Sequence, residues 1–250
     1  MINLKTKEEI KTMHDGGKIL AKILRELSDS VRPGISTKAI EKLANELILF
    51  YGVKAAFLNY HGYPSSICIS INDEVVHGLP SNRILEEGDL VSLDFGIKYD
   101  DFYLDSAVSL SVGENENPKI KKILEVTKKA MEKGIEKAMP GNYIGDIGYA
   151  IQSFVEKEDL SVIRDLVGHG IGKDLHEEPQ VPNFGKKGQG PELVEGMVFA
   201  IEPMISVGDW RVILGEDKFT YKTKDGSLAA HFEHTVAVTE KGPIVLTILD

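Results

Sequence analysis

Apolar residues in the first fifty positions recur three and four apart. Ile10, Met13, Ile19, Leu20, Ile23, Leu24, Leu27 and Val31 follow a Thr6-x-x-Glu9 capping box and predict an amphipathic helix ending at Pro33-Gly34. A second helical face, Ile40, Leu43, Ala44, Leu47, Ile48 and Tyr51, opens behind Ser36-Thr37 and is stopped by Gly52. The period then changes. β-Branched and aromatic residues over 66–76 and 89–112, interrupted by Gly and Asn-Asp, predict strands and hairpins that break off in the polar run 113–118.

The second half starts the same way. A lysine-rich helical pattern from Ile120 to Met139 ends at Pro140-Gly141, 107 positions after Pro33-Gly34, and Ile144 to Val155 predicts another helix. After each Pro-Gly pair come a helix, a His-Gly dipeptide (His77-Gly78, then His169-Gly170) and two acids in strand-like surroundings (Asp94 and Asp105, then Glu202 and Glu233). The offsets drift from 92 to 128, so the halves share order without strict self-similarity, with or without an ancestral duplication. No low-complexity linker divides them. One domain over residues 1–250 is expected, with pseudo-repeats at about 6–112 and 118–250.

Within 90–97, Val91, Leu93, Phe95 and Ile97 share one strand face and Ser92, Asp94 and Gly96 the other. Within 103–110, Tyr103, Asp105 and Ala107 lie opposite Leu104, Val108 and Leu110. A turn centred on Tyr99-Asp100 would place Asp94 directly across from Asp105. Carboxylates so placed repel by about 1 kcal/mol in water and several-fold more in a drier site. Either one takes a proton or a cation sits between them, unless the face is solvated or a bulge shifts the register. Glu202, behind the apolar run 198–201, and Glu233, in AAHFEHTVAV, also lie among apolar neighbours, where a carboxylate needs a partner or a metal. Four such acids suggest a shared metal site. His169, in a glycine loop, is either its nitrogen ligand or a structural residue. The mostly oxygen donor set points to Mn, Fe or Co, with Zn also accepted, and the ligand count suits two ions.

Composition narrows the setting. Apolar residues at 42% and charged residues at 27% exclude global disorder. A net charge of −10 argues against a surface that grips nucleic acid through phosphates. The longest apolar runs fall far short of the ~20 residues that span a bilayer, and no signal-peptide core follows the charged first ten residues. Cys68 is the only cysteine, which excludes a disulfide framework and a thiolate zinc site within the chain. A cytoplasmic protein with no membrane and no specific nucleic-acid partner is expected. Signatures of serine hydrolases, H-E-x-x-H proteases and P-loops are missing.

The series His77-Gly-Leu-Pro, Asp94-Phe-Gly, Asp105, Gly168-His169-Gly-Ile-Gly, His176-Glu-Glu-Pro, Ile201-Glu202-Pro and Phe232-Glu233-His-Thr closely resembles the type I methionine aminopeptidases, the short bacterial-like form within the M24 metallopeptidases. The resemblance runs from about Thr6 to the C-terminus. It implies the "pita-bread" α/β (α+β) fold, two pseudo-symmetric halves with an antiparallel sheet flanked by helices. It also implies a dinuclear centre, with cobalt, manganese, iron or zinc, ligated by Asp94, Asp105, His169, Glu202 and Glu233. Asp105 and Glu233 would bridge the ions, Asp94 would complete one shell, and His169 with Glu202 the other.

The implied activity is hydrolytic removal of the N-terminal methionine of nascent proteins, preferably before a small second residue, by a metal-activated hydroxide that attacks the first peptide carbonyl. Glu202 would shuttle the proton, while His77 and His176 would donate hydrogen bonds to substrate. The methionine pocket would involve Phe57, Tyr60, Tyr63, Cys68, His77, Leu175, His176 and Phe219. Phe57 is bulkier than expected, Leu175 replaces a usual Phe, and Phe219 stands where Trp or Tyr is common. These departures bear on pocket shape and leave the ligand set untouched.

Two rivals share the fold. X-Pro aminopeptidases and prolidases usually carry a large domain before the catalytic half, and the helices here begin at Thr6. Type II methionine aminopeptidases carry a long insertion before the last Glu, whereas 31 positions separate Glu202 from Glu233. A non-catalytic, RNA-binding relative would have lost ligands, and all five are present. A monomer is expected by resemblance. Lys121-Lys122, Lys128-Lys129 and Lys186-Lys187 are candidates for transient ribosome contact or are simply solvated faces.

Overall fold

The structure, a computed structural model, describes residues 2–114 and 117–249, so part of the expected break over 113–118 lies outside the described residues. Helix α1 (Lys7–Ser30) begins as its sequence dictates. The Thr6 hydroxyl accepts the Glu9 N–H at 3.2 Å, and the Glu9 carboxylate accepts the Thr6 N–H at 2.8 Å. Helix α2 (Thr37–Tyr51) is capped by Ser36 and closed by Gly52 in the left-handed conformation. Then come β1 (Lys54–Ala55), β2 (Cys68–Ile71), β3 (Glu74–Val76) and the long hairpin β4 (Leu90–Tyr99) and β5 (Phe102–Ser111).

The second half repeats the opening. Gly141 (φ 84°) donates its N–H to Leu193 O just as Gly34 (φ 86°) donates to Leu85 O, each bond being 2.9 Å. Helices α3 (Pro118–Ile135) and α4 (Ile144–Val155) pack on each other. Helix α3 ends four residues before the expected Met139, because beyond Gly134 the chain tightens into three-residue turns, with Lys137 N–H bonding Gly134 O and Ala138 N–H bonding Ile135 O. The strands that follow are β6 (Ser161–Val162), β7 (Gly168–Gly170), β8 (Glu177–Val181), β9 (Val198–Ile201), β10 (Met204–Ser206), β11 (Val212–Leu214), β12 (Tyr221–Thr223), β13 (Ala229–His231), β14 (Glu233–Thr239) and β15 (Gly242–Val245).

One sheet joins the halves in the order β1-β4-β5-β14-β9-β7-β8, with β2 added on β4 and β15 on β14, and its strand pairs among the described residues are antiparallel. Two small sheets, β13-β10-β6 and β11-β12-β3, flank it. Helix α1 packs on β4 and β5, burying Met13, Leu20 and Leu27 in one core with Leu93, Phe95, Ile97 and Leu104. A second core gathers Ile123, Ala130 and Ile151 of α3 and α4 with Phe199, Ile201 and Val236. The apolar alternation of β4 and β5 thus faces the helices and leaves the acidic face for the concave side. None of the described helices is long and apolar enough to cross a membrane.

The hairpin register corrects one expectation. Tyr99 pairs with Phe102, so the turn is Asp100-Asp101, with Asp100 at φ 49°, and Asp94 faces Ala107 while Asp105 faces Gly96. A two-residue slip keeps every side chain on its expected face but makes the two aspartates diagonal neighbours.

Candidate metal centre

The β5–β14 junction pairs Ala107 with Glu233, so Cys68, Asp94, Ala107 and Glu233 form one row across β2, β4, β5 and β14. Paired residues point to the same side of a sheet. Asp105, two residues before Ala107, shares that side. Glu202 follows β9, whose last residue Ile201 faces His234, and this brings it level with Glu233. His169 rises from the middle of β7. All five line a cavity of about 430 Å³, and each is at least nine-tenths buried.

His169 sits on a strand and not in a glycine loop, because its glycines serve close strand approach. A Cβ on Gly168 would stand 2.4 Å from Ala200 O, and one on Gly170 would stand 2.3 Å from Glu178 O.

Ligand atoms of Asp105, His169 and Glu233 lie within 4.8 Å of one another, and His169 Nε2 is 3.5 Å from Glu202 Oε1. Burial, and then the charges of the other acids, hold the carboxyls of Asp94, Glu202 and Glu233 well above the usual range. Burial pushes Asp105 up to about 7, and the Ser106 N–H, 3.0 Å from Oδ1, opposes the rise. Burial also lowers His169 to about 3, so its imidazole is neutral. His169 Nδ1 lies 3.0 Å from Gly170 O, which can only accept, so Nδ1 carries the proton and the Nε2 lone pair faces the acids.

This arrangement fits a cation. Among the described residues none of the four acids pairs with Lys or Arg, and Asp94 Oδ1 and Glu233 Oε1 have no hydrogen-bond partner. Buried carboxylates left in that state are costly unless positive charge offsets them. The donor set, four carboxylates and one imidazole, suits a hard or borderline divalent ion.

The remaining sequence candidates line the same cavity. Phe57, Tyr60, Tyr63, Cys68, His77, Leu175, His176 and Phe219 are all there. Gly96 leaves space for Phe57, since a Cβ would stand 2.7 Å from its ring. The Tyr63 and Phe219 rings meet edge-on at 5.5 Å, and Tyr63 donates to Gly78 O at 2.9 Å. Cys68 lies buried beside Asp94, where burial and that carboxyl push its thiol pKa up. It is a neutral packing group. His77 has φ 60° and a pKa lowered by burial. Tyr60 Oη is 2.7 Å from His176 Nδ1, and burial lowers His176 to about 4.

Sequence reading missed one residue at the centre. His231, 1% exposed, places Nε2 3.5 Å from Glu202 Oε2. Its signal was its place two residues before Glu233.

Comparisons with known proteins identify the family to which the chain belongs. A sequence model of metallopeptidase family M24 matches residues 11–240. The methionine aminopeptidase of Clostridium perfringens is 45% identical over 249 residues, covering 100% of both chains. The crystal structure of methionine aminopeptidase from Thermotoga maritima superposes with a TM-score of 0.97 at 46% identity, covering 100% of each chain. Prolidase from Pyrococcus furiosus, at 23% identity and TM-score 0.79 over 99% of this chain and 66% of its own, shares the fold alone. The two-halved sheet is the pita-bread fold, and the chain belongs to metallopeptidase family M24, within its methionine aminopeptidases.

Proposed function

We propose that this enzyme removes the N-terminal methionine from nascent proteins and peptides, with two divalent ions held by Asp94, Asp105, His169, Glu202 and Glu233. The convergence of four buried carboxyls and one neutral imidazole from both halves of the sheet carries this reading. In it Asp94 and Asp105 from the first half and His169, Glu202 and Glu233 from the second would hold the ions. When bound, such ions supply a water acidified toward neutral pH and polarise a carbonyl.

The chain's own groups do the rest. Tyr63, Cys68, Leu175 and Phe219 offer an apolar, aromatic and sulfur-lined recess that suits a flexible thioether. A free α-amine, with a pKa near 7.7–8.0, is accessible in its neutral form at the carboxylate end of the cavity. His176, neutral and held through Nδ1 by Tyr60, keeps Nε2–H as a donor for the oxygen that gains charge during attack. His77 donates to the substrate carbonyl. Glu202 receives the proton of the attacking water and passes it to the leaving amine.

The same reading carries over from the family a small second residue, a monomer and a cytoplasmic setting. Ribosome contact through the α3 lysines has less support, because Lys129 pairs with Glu125 at 2.5 Å and Lys122 lies 4.0 Å from Glu158.

The test compares Met-Ala-Ser with Ala-Pro-Ser on metal-stripped protein reloaded with Mn, Co, Fe or Zn. Release of methionine from the first peptide, lost in His169→Ala and Glu202→Gln, is expected. Methionine release that survives both substitutions would overturn the assigned roles, and release of alanine alone would establish a proline-directed peptidase.

A further inference from the structure

The Glu202 carboxylate stands between two imidazoles. Oε1 is 3.5 Å from His169 Nε2, and Oε2 is 3.5 Å from His231 Nε2. The Glu202 backbone is fixed by Asn183, whose side-chain amide donates to Glu202 O at 2.9 Å. His231 is held as firmly. It pairs with Met204 on β10, its N–H donates to Ser109 Oγ at 2.8 Å, and Ser109 Oγ donates back to His231 O at 2.7 Å.

His231 is 1% exposed and is not among the residues that line the cavity. Neither ring nitrogen has a hydrogen-bond partner among the described residues. A neutral imidazole carries one N–H and needs an acceptor when buried. Glu202 Oε2, 3.5 Å from Nε2, is an acceptor for that N–H.

From this we infer that His231 is a positioning residue: its Nε2–H holds Glu202 Oε2, which leaves Oε1 turned toward His169 and the ions. The inference rests on the metal-centre reading above. Outer groups that orient a ligand in this way typically change metal affinity by about 10–100-fold when removed. The restraint has a second consequence. A carboxylate pinned through one oxygen presents the other in one orientation both as ligand and as proton acceptor, so loss of the restraint lowers kcat more than it raises KM.

The test titrates Co(II) calorimetrically into metal-free wild type, His231→Leu and His231→Gln, records the visible Co(II) spectrum, and separates kcat from KM on Met-Ala-Ser. Far-UV circular dichroism of the metal-free proteins reports folding. Affinity about 10–100-fold weaker in His231→Leu is expected, with recovery to within about threefold in His231→Gln, whose amide N–H reaches the same oxygen. Unchanged affinity and kcat in His231→Leu would overturn the inference. So would a His231→Gln protein as impaired as His231→Leu with an altered Co(II) spectrum, which would make the ring itself a ligand.

The wild type gives a reading that needs no variant to fold. Two-bond ¹H–¹⁵N spectra must show His231 as the Nε2–H tautomer, and the Nδ1–H tautomer would overturn the inference outright. Failure of wild type to bind Co(II) would instead sink the metal-centre reading.

Discussion

Asp94 and Asp105 lie on one face of the β4–β5 hairpin, two residues out of register, with Asp94 across from Ala107 and Asp105 across from Gly96. Diagonal neighbours in a sheet stand about 7–8 Å apart, against about 4.5–5.5 Å for a direct pair. Their carboxyls can converge from two sides on a common point. Ala107 and Gly96 are small enough to leave that point open, and Ala107 also separates Asp94 from Glu233 in the cross-strand row.

Ala107→Leu would place a branched side chain between Asp94 and Glu233. Loss of metal binding and a fall in kcat/KM on the order of 100-fold are expected, with the circular dichroism spectrum retained. Calorimetric metal titration checks it, and wild-type affinity in the variant would contradict the row's role.

Protons and metal compete for these carboxyls. Asp105 is raised to about 7, and Asp94, Glu202 and Glu233 also lie above the usual range, each chiefly through burial. In the unfolded chain they titrate near pH 4, so without metal the fold retains protons that the unfolded state has released. The resulting stability is complete below about pH 4, and the share from Asp105 is lost as pH rises through about 7. Buried His169, His176 and His231, lowered to about 3, 4 and 3, act in the opposite sense only below about pH 6.5, where the unfolded imidazole charges. Between pH 6.5 and 8, Tm of the metal-stripped protein therefore falls, and saturating Mn(II) abolishes the fall. A flat or rising metal-free Tm over that interval would refute the assignment.

Tyr60 is the side chain in contact with His176 Nδ1. Its Oη lies 2.7 Å from Nδ1, and in the proposed function the phenol O–H donates there and leaves Nε2–H for the substrate. Tyr60→Phe frees the ring to adopt either tautomer. A loss of about tenfold in kcat with little change in metal affinity is expected, against a larger loss for His176→Ala. Equal kcat in Tyr60→Phe and wild type would show that the tautomer needs no such restraint.

What could be read from the chain divides along physical lines. Capping residues and Pro-Gly pairs act locally, so α1, α2 and α4 were legible almost to the residue. Two-residue alternation fixes the face of Asp94 and Asp105, but their partners depend on where a two-residue turn falls, and Asp100-Asp101 serves as well as Tyr99-Asp100 in that respect. Glycines around His169 suggested a loop because their other use, close strand packing, depends on Ala200 and Glu178, which are distant in sequence. His231 escaped notice because its chemistry lies in a contact with Glu202 that only the antiparallel pairing of β10 with β13 creates.

The N-terminal arm is tied to the turn before Leu175 and His176 through one buried ion pair. Lys5 Nζ is 2.6 Å from Glu177 Oε2, with side chains 5% and 4% exposed, and the Lys5 N–H bonds Gly196 O at 2.7 Å. Glu177 Oε1 accepts the N–H groups of Lys173 at 2.7 Å and Asp174 at 3.2 Å, so the same carboxylate shapes the turn leading to Leu175 and His176. Lys5→Met leaves that charge buried without its cation and is expected to cost about 3–5 kcal/mol in urea unfolding. KM should rise as well, because both cavity residues lose their support. Pairing Lys5→Met with Glu177→Gln removes the stranded charge and should recover most of the stability, since a neutral amide still meets the loop. If the single variant unfolds within about 0.5 kcal/mol of wild type, the range of ordinary surface substitutions, the arm does not brace the loop.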